Sequence, residues 1–392
     1  MTLAGLLAAV LVVVQIVIVL PFLIEVAAGL PPSRADAPAF PPVEAAILVP
    51  AHDEAAHIAA ILTRIKAGCD PATRLLVVAD NCTDTTAAAA RATGAEVVER
   101  HDLDRRGKGH ALAFGRDHLA AAPPQAVVVV DADCVPEAGA VARLAAEAVA
   151  RGVAVQGRYL LRPAPGASAM VQVSNFAFVV KNLVRQRGLS RLGLPAPLAG
   201  TGMAFPWGQF RDAPLATSNR VEDLALGIDL TRAGHPPAFC AEATVWSDPA
   251  ATRATLGQRS RWEGGFLATA RALGPALVRD GVARRNVGLA WLGLHVLTPP
   301  LALLVMANGA LLAGTVLLGL IGGGWGAACA SALILAALGL VVLLAWTIEG
   351  RAWLSPAALV LLPFYLLWKV PMYLRLLTGR GPAGWNRTER PG

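Results

Sequence analysis

Ala126 to Pro136 reads AVVVVDADCVP. A run of small and β-branched apolar residues leads without polar alternation into Asp131 and Asp133, which are separated by one alanine. Such a run suits a strand buried on both faces of a parallel sheet. The carboxylates then fall at the strand's carboxyl end, where open α/β sheets bind their ligands. Two hard oxygen donors this close can share one divalent cation, and Mg²⁺ or Mn²⁺ typically takes one or two carboxylates plus substrate phosphates. The stretch points to a metal–diphosphate site, although an Asp-rich turn closing an ordinary strand reads the same way.

Bulk composition sets the surroundings of that strand. The chain has 392 residues, 55% hydrophobic and 16% charged, with a mean hydropathy of +0.53. Residues 1–24, 286–348 and 352–368 contain no Asp, Glu, Lys or Arg. A bilayer crossing needs about 20 apolar residues. The expected organisation is therefore a transmembrane helix over 1–26, a linker over 27–43 rich in proline, and an α/β domain over 44–265. An amphipathic interfacial helix over 266–285, a transmembrane bundle over 286–377 and a basic tail over 378–392 follow. The first segment lacks a basic start and a nearby small-residue cleavage site, so it reads as an anchor rather than a cleaved signal. Cys69, Cys82, Cys134, Cys240 and Cys329 form no C-x-x-C pair and leave one over, which fits a reducing cytoplasm and neither a disulfide framework nor a zinc site. The net charge of +7 comes from basic residues crowding the membrane flanks, among them Arg279, Arg284, Arg285, Lys369 and Arg375. That asymmetry marks cytoplasmic edges, and no nucleic-acid partner is needed to explain it.

Within 44–265, strand, polar turn and helix recur, as a parallel sheet with right-handed crossovers requires. Ala45–Pro50 leads into Ala51-His52-Asp53-Glu54, and a helix follows on Ile58, Ile61, Leu62 and Ile65. Leu75–Ala79 leads into Asp80-Asn81-Cys82-Thr83-Asp84, and Glu96–Val98 is a short third strand. Asp53, Asp80 and the Asp131/Asp133 pair should thus line one crevice. Gly107-Lys108-Gly109 lets backbone approach an anion that the lysine neutralises, or is a solvated basic loop. After the site strand come a helix over 137–151, a strand near Val153–Gly157 and a helix over 168–192. Gly200-Thr201-Gly202 reads either as close backbone approach to a ligand or as a tight turn. Glu222-Asp223 opens a helix, which suits N-terminal capping and equally a general base at the mouth of the crevice. Gln258-Arg259-Ser260-Arg261-Trp262 offers anion donors, an amide and an aromatic platform, or interfacial anchors.

Taken together, these motifs resemble, in order and rough spacing, the inverting family-2 glycosyltransferases, above all membrane-embedded members such as cellulose, hyaluronan and chitin-oligosaccharide synthases. The resemblance covers about residues 44–265 and extends to the flanking membrane segments. It implies a GT-A, Rossmann-like domain joined to an α-helical transmembrane bundle, a nucleotide-sugar donor, here a UDP-sugar, and Mg²⁺ or Mn²⁺ as cofactor. Position by position it implies Asp80 at the nucleobase, Asp53 and Lys108 at the nucleotide, and Asp131 and Asp133 at the metal and diphosphate. It further implies Asp223, beside Glu222, as catalytic base, and Gln258, Arg261 and Trp262 at the diphosphate and acceptor end. Trp385 to Arg390 is similar to a W-x-T-R tail. Asp53 stands where many relatives have Asn, and Val221 stands where cellulose synthases carry Thr, so cellulose as product is not implied. No cyclic-dinucleotide regulatory domain is expected after the bundle.

The expected activity is metal-assisted, inverting transfer of a sugar to a growing polysaccharide or glycan, in a multi-pass inner-membrane protein whose catalytic domain faces the cytoplasm. Rival readings are transfer of one sugar to a lipid-linked acceptor, and a polytopic transporter with a nucleotide-sensing domain. Three long carboxyl-terminal spans are easiest to draw, near 299–321, 327–348 and 355–376, but a cytoplasmic basic tail favours four. His295 is expected as a packed or interfacial histidine.

Overall fold

The protein is described by a computed structural model covering residues 2–32, 40–164, 166–217, 221–248 and 252–377, with only the backbone described for 252–262, 376 and 377. It comprises two compact units. One joins Pro32–Arg162 to Gly193–Pro249, and the other joins Met1–Pro31, Pro163–Leu192 and Ala250–Arg390.

The first unit is built on an eight-stranded mixed sheet: β1 (Ala45–Ala51), β2 (Arg74–Asp80), β3 (Glu96–Arg100), β4 (Ala126–Val129), β5 (Cys134–Pro136), β6 (Val155–Leu161), β7 (Met203–Pro206) and β8 (Ala238–Ser247). The order across the sheet is β3-β2-β1-β4-β7-β6-β8-β5. The first four strands are parallel, as the repeating pattern requires, and β4 then pairs antiparallel with β7. Sequential crossovers thus bring the carboxyl ends of β2, β1 and β4 to neighbouring positions on one edge. The apolar runs lie between layers of helix, with Leu48, Leu76, Val127, Val129 and Phe205 each 0% exposed. Each such side chain contributes about 1.5–3 kcal/mol by leaving water. The helix Ile58–Ala67 buries the four residues its periodicity singled out, Ile58, Ile61, Leu62 and Ile65.

Local differences from the sequence reading have local causes. β4 ends at Val129, one residue short of the apolar run, although Val130 N–H still donates to the Leu48 carbonyl at 3.1 Å. The helix expected from residue 137 begins at Ala140, since Cys134–Pro136 is a strand paired with β8 and Glu137 N–H donates to the Thr244 carbonyl. β6 runs on to Leu161 because β8, which no sequence signal marked, gives it a parallel partner.

The second unit is helical. The amino-terminal helix spans Leu3–Gly29 rather than 1–26 and includes Glu25. Leu3–Gly29, Leu301–Gly323 and Gly326–Gly350 are long and apolar enough to cross a membrane, whereas Val287–Leu297 is too short. Of the spans drawn from sequence, 355–376 is interrupted at Leu361 into the helices Pro356–Val360 and Leu362–Leu377. Leu6, Val10, Val13 and Val17 on the first helix and Leu333 and Leu340 on the last are exposed, a surface suited to hydrocarbon and costly in water. Lys369, expected as a flanking surface charge, is instead 4% exposed, with its ammonium 2.5 Å from Glu263 Oε1.

The boundaries of the units also differ from those expected. Residues 163–192 belong to the helical unit, as the helix Ala169–Val179, a π-helical turn over Val180–Arg185 and the helix Gln186–Arg191. Phe176, Val180 and Val184 join one apolar cluster with Val19, Phe22 and Val26, which is why this segment leaves the sheet domain. Residues 250–265 follow it, because Thr252–Ala283 is one helix with no break at 265.

The first helix and this inserted segment meet backbone to backbone. A Cβ built on Gly188 would lie 1.8 Å from the Glu25 carbonyl oxygen, and one on Gly29 would lie 1.9 Å from the Val184 carbonyl oxygen. Neither obstacle is a flexible side chain, so the helices themselves must move apart. Gly188→Val is expected to cost about 1–3 kcal/mol and to lower the unfolding temperature of the detergent-solubilised protein by several degrees. Gly339→Val, at a helical site with nothing within 4 Å of the built Cβ, supplies the control for the same change without a packing clash.

Candidate active site

Two clusters of polar side chains form where the parallel strands end. At the ends of β1 and β2, Asp53 and Asn81 both adopt left-handed backbone, each with φ of 51°. Asp and Asn tolerate that region better than most residues, and each earns its place here through side-chain bonds. Asp53 Oδ1 accepts from Thr83 N–H at 2.6 Å and from Asp84 N–H at 3.3 Å, and its Oδ2 accepts from the Thr83 hydroxyl at 3.0 Å. Burial opposes ionisation of Asp53, but the Thr83 donors outweigh it and hold the carboxyl below its usual range. His52 Nδ1 lies 2.6 Å from the Asp80 carbonyl. Asp80 Oδ1 accepts from Arg100 Nη1 at 2.6 Å, while Arg100 Nη2 donates to the Arg105 carbonyl at 2.7 Å. Asn81 ties in the chain after β3, its Oδ1 accepting from Asp102 N–H at 2.7 Å. The first loops thereby become one rigid rim.

The second cluster lies beyond β4. Lys108 opens the helix Lys108–Leu119, and its ammonium donates to Asp131 Oδ1 and, at 2.5 Å, to the Gly200 carbonyl. Gly200 sits at φ 87°, and a Cβ built on it would lie 3.3 Å from Asp223 Oδ2 and 3.5 Å from Lys108 Nζ. Gly200 thus combines left-handed backbone with crowding: a side chain there would press on the acid and the ammonium. Thr201 adds a fixed contact, its hydroxyl accepting from Asp131 N–H at 3.1 Å. Gly109 is packed equally hard, since its Cβ would lie 2.3 Å from the Leu215 carbonyl oxygen. Glu222 and Asp223 open the helix Glu222–Arg232, where N–H groups stabilise acids. Asp223 Oδ1 accepts from Leu224 N–H at 2.8 Å, and both acids border a small cleft together with Gly109, Thr217 and Met203.

Charge in this cluster is strongly coupled. Burial on its own pushes the Lys108 ammonium toward neutrality, but Asp131, Glu222 and Asp223 outweigh it and hold its pKa above the usual lysine value. Burial raises the Asp131 pKa, with Lys108 opposing and Asp133 and Asp223 adding to the rise. Burial, then the adjacent Asp223, push Glu222 up to about 7 from an ordinary 4.5. Perturbation of this kind, from burial plus specific partners in a cleft, is typical of functional sites.

The donor set suits a hard divalent cation. Carboxylate oxygens of Asp131 and Asp133 and the Cys134 sulfur lie within 4.8 Å of one another. Cys134 is buried, its pKa is raised well above the usual thiol value by burial and then by Asp133 and Asp131, and its sulfur lies 3.1 Å from Asp133 Oδ1. A protonated thiol is a poor ligand, which leaves oxygen donors of the type Mg²⁺ and Mn²⁺ prefer.

The structure thus brings Lys108, Asp131, Asp133, Glu222 and Asp223 to one place, with Asp53 and Asp80 at the ends of the adjoining strands. Gln258, Arg261 and Trp262 fall on the helix Thr252–Ala283, but their side chains lie outside the described residues, as does the tail from 378. Sequence reading missed Arg100, the partner of Asp80. The available signal was β3 itself: extended by two residues beyond Val98, it ends with Arg100 in register with Asp80.

Residues 41–265 match the family described as "Glycosyltransferase like family 2". Among solved structures, the mannosyltransferase PcManGT from Pyrobaculum calidifontis, in complex with GDP-Man and Mn²⁺, is similar over 94% of this chain and 100% of that one, with 18% identity and a TM-score of 0.52. Glucosyl-3-phosphoglycerate synthase from Mycobacterium tuberculosis, solved with Mn²⁺, UDP and phosphoglyceric acid, is a weaker likeness. It covers 59% of this chain and 85% of that one, at 24% identity and a TM-score of 0.39. No curated protein matches the chain in sequence.

The raised Glu222 makes stability depend on pH with a definite sign. Folded Glu222 keeps a proton up to about pH 7 that the unfolded chain releases near 4.5. Its contribution is complete below 4.5 and is lost as pH rises through 7. Glu222→Gln, neutral throughout, should match wild type at pH 4.5 and unfold a few degrees higher than wild type at pH 8.5, about 1–3 kcal/mol of relief. Thermal unfolding at the two pH values, without nucleotide or divalent metal, checks this.

Proposed function

Because this chain belongs to the glycosyltransferase-like family 2, we propose that the Asp131–Lys108–Asp223 cleft transfers a sugar from a nucleotide-diphosphate donor, UDP-sugars first among them, to a glycan or lipid-linked acceptor with inversion. Its α/β unit is a GT-A domain. The observation that carries the proposal is convergence: Lys108 bonds both Asp131 and the Gly200 carbonyl, Gly200 lies against Asp223, and Glu222 and Asp223 line a small cleft with Gly109, Leu215 and Thr217.

Residue roles follow from this arrangement. Asp80 and Asp53 lie on the rim stiffened by Arg100 and Thr83, which fits holding a nucleoside in one orientation before reaction. Mg²⁺ or Mn²⁺ held by Asp131 and Asp133 would neutralise the charge developing on the leaving diphosphate. Lys108 orients Asp131 and adds a positive charge to the same place. Gly200 leaves space beside Asp223 Oδ2, so an acceptor hydroxyl can approach that oxygen and lose its proton to it. A base on the face opposite the leaving group gives inversion in one displacement, with no covalent intermediate. Glu222, holding its own proton to about pH 7, is suited to donating a hydrogen bond in the cleft rather than competing as base. Gln258, Arg261 and Trp262 keep their proposed place at the diphosphate and acceptor end.

The three apolar helices indicate membrane association. We further propose that the protein is multi-pass in the inner membrane with the GT-A domain cytoplasmic, since Arg279, Arg284 and Arg285 crowd the segment just before Val287–Leu297.

With purified protein, a donor screen reading nucleoside-diphosphate release should find one preferred nucleotide-sugar, and chelation with EDTA should abolish release until Mg²⁺ or Mn²⁺ is restored. Asp133→Asn should reduce release to the hydrolysis background. Asp223→Asn should lower turnover about 10²–10⁴-fold while donor affinity stays within about twofold. Nucleotide binding with no sugar turnover for any donor would refute the enzyme and leave a nucleotide sensor.

A further inference from the structure

Ala199-Gly200-Thr201-Gly202 leads into β7, which lies between β4, the strand that delivers Asp131, and β6, which carries Gln156. Two consecutive residues of this loop act on Asp131 by different routes. The Gly200 carbonyl accepts from the Lys108 ammonium at 2.5 Å, and the same ammonium donates to the Asp131 carboxylate. The Thr201 hydroxyl accepts from Asp131 N–H at 3.1 Å. Side chain and main chain of one acid are thus held from one short loop. The same hydroxyl bonds the Cys134 thiol, and Cys134 N–H donates to the Asp131 carbonyl at 2.9 Å. Thr201 therefore reaches both ends of the turn that presents Asp131 and Asp133.

The loop has no regular structure of its own, and Gly200 and Gly202 both hold left-handed backbone, with φ of 87° and 64°. Its place is fixed by Gln156, which is 1% exposed. Gln156 Oε1 accepts from Ala199 N–H at 2.8 Å, and its Nε2 donates to the carbonyls of Thr201 and Gly157, each at 2.9 Å. The amide thus grips the residue on each side of Gly200. Reversing it would set Nε2 against Ala199 N–H, donor to donor, so the partners decide its orientation. Gly202 N–H donates to the Val129 carbonyl at 2.9 Å, which fastens the far end of the loop to β4. A buried amide is costly unless its bonds are made, and an apolar residue at 156 would fill the same space at no such cost. What the amide adds is the placement of Ala199 and Thr201, and through them of the two contacts on Asp131.

We propose that Thr201, held by Gln156, is a positioning residue that sets Asp131 for the divalent cation. The assignment rests on the glycosyltransferase reading and extends its metal site inward, from the carboxylates to the groups that orient them. Thr201 is 0% exposed, so it acts through Asp131 and not on a substrate. Its hydroxyl keeps the Asp131 main chain in one orientation before the cation arrives. Without it, Asp131 N–H lacks this acceptor and the turn is free to relax. Losing a group that orients a metal ligand typically costs about 10–100-fold in metal affinity or activity.

The test uses the full-length protein in neutral detergent with UDP present, Mn²⁺ binding being read from the electron spin resonance of the unbound ion and folding from the thermal transition of the same samples. Thr201→Val keeps the shape of the side chain and removes the hydroxyl, and it should weaken Mn²⁺ about tenfold, whereas Thr201→Ser, which keeps the hydroxyl, should stay within about threefold of wild type. Gln156→Met, which removes both grips on the loop, should also weaken Mn²⁺ about tenfold. That change leaves buried backbone groups without their partner and endangers folding, so the two Thr201 variants decide the matter if it does not fold. A merely structural role predicts a lower unfolding temperature with Mn²⁺ affinity unchanged in the folded protein. That result for Thr201→Val, or for a Gln156→Met that folds, overturns the proposal, and so does a serine variant as weak as the valine one. Nucleoside-diphosphate release, measured on the same preparations, separates the two readings. Wild-type release and Mn²⁺ binding intact, with Thr201→Val no weaker, defeats the positioning role alone. Absence of both donor binding and release in wild type defeats the transferase reading on which it rests.

Discussion

The Lys108 ammonium is the point on which the site balances. Asp131, Asp133, Glu222 and Asp223 share a small, partly dehydrated space, where burial and then the neighbouring acids push Asp131 and Glu222 toward protonation. Lys108 is the positive charge that acts on Asp131, Glu222 and Asp223 together, and those acids keep it charged against burial. Its second bond, to the Gly200 carbonyl, fixes the ammonium relative to the chain that faces Asp223. A neutral residue at 108 would remove a charge and a tether at once. It would leave Asp131 disposed to hold a proton, and a protonated carboxyl is a poor ligand for a divalent cation.

What could be read from sequence was whatever depends on local pattern. The apolar run before Asp131, the helical spacing of Ile58 to Ile65 and the alternation of strand with polar turn each report burial over a few residues, and the parallel half of the sheet follows from them. The acids at 131, 133, 222 and 223 could be placed at a strand end and a helix start, but turn and capping chemistry favour acids at the same positions, so their convergence needed the fold. Arg100 was not legible as the partner of Asp80, because that pairing depends on the register of two strands twenty residues apart in the chain. β8 was not legible either. Its Ala238–Ser247 run mixes polar and apolar residues, and its pairing on both sides, with β6 and β5, is purely a matter of tertiary packing. Gly200 could be suspected but not decided, since a glycine that relieves crowding and one that makes a turn look the same until the neighbours are known.

The partition of residues 163–192 shows a different limit. In sequence, Ala169 to Arg191 has apolar and basic positions that fit the surface of an α/β domain as well as a helical bundle. Besides its apolar packing against the first helix, charge ties it to the helical unit. The long apolar helices carry two acids, Glu25 in Leu3–Gly29 and Glu349 in Gly326–Gly350, and no base of their own. The inserted segment supplies the bases. Arg185 pairs with Glu25 at 2.6 Å and Arg187 with Glu349 at 2.8 Å. A buried acid left alone among apolar helices costs several kcal/mol, so each pairing removes a large penalty rather than adding a large gain.

The backbone contact at Gly29 and Gly188 has the same origin. The Arg185–Glu25 pair lies beside this crossing, and glycine on both sides is what permits the backbones to approach so closely. The π-helical turn over Val180–Arg185 lies at this point, and the extra residue in such a turn rotates the side chains that follow it relative to those before. Lys181 and Arg185, four residues apart, thereby reach one cavity while Arg187 turns to Glu349. Neutralising Glu25 and Glu349 thus adds to the apolar packing that holds this segment to the long helices.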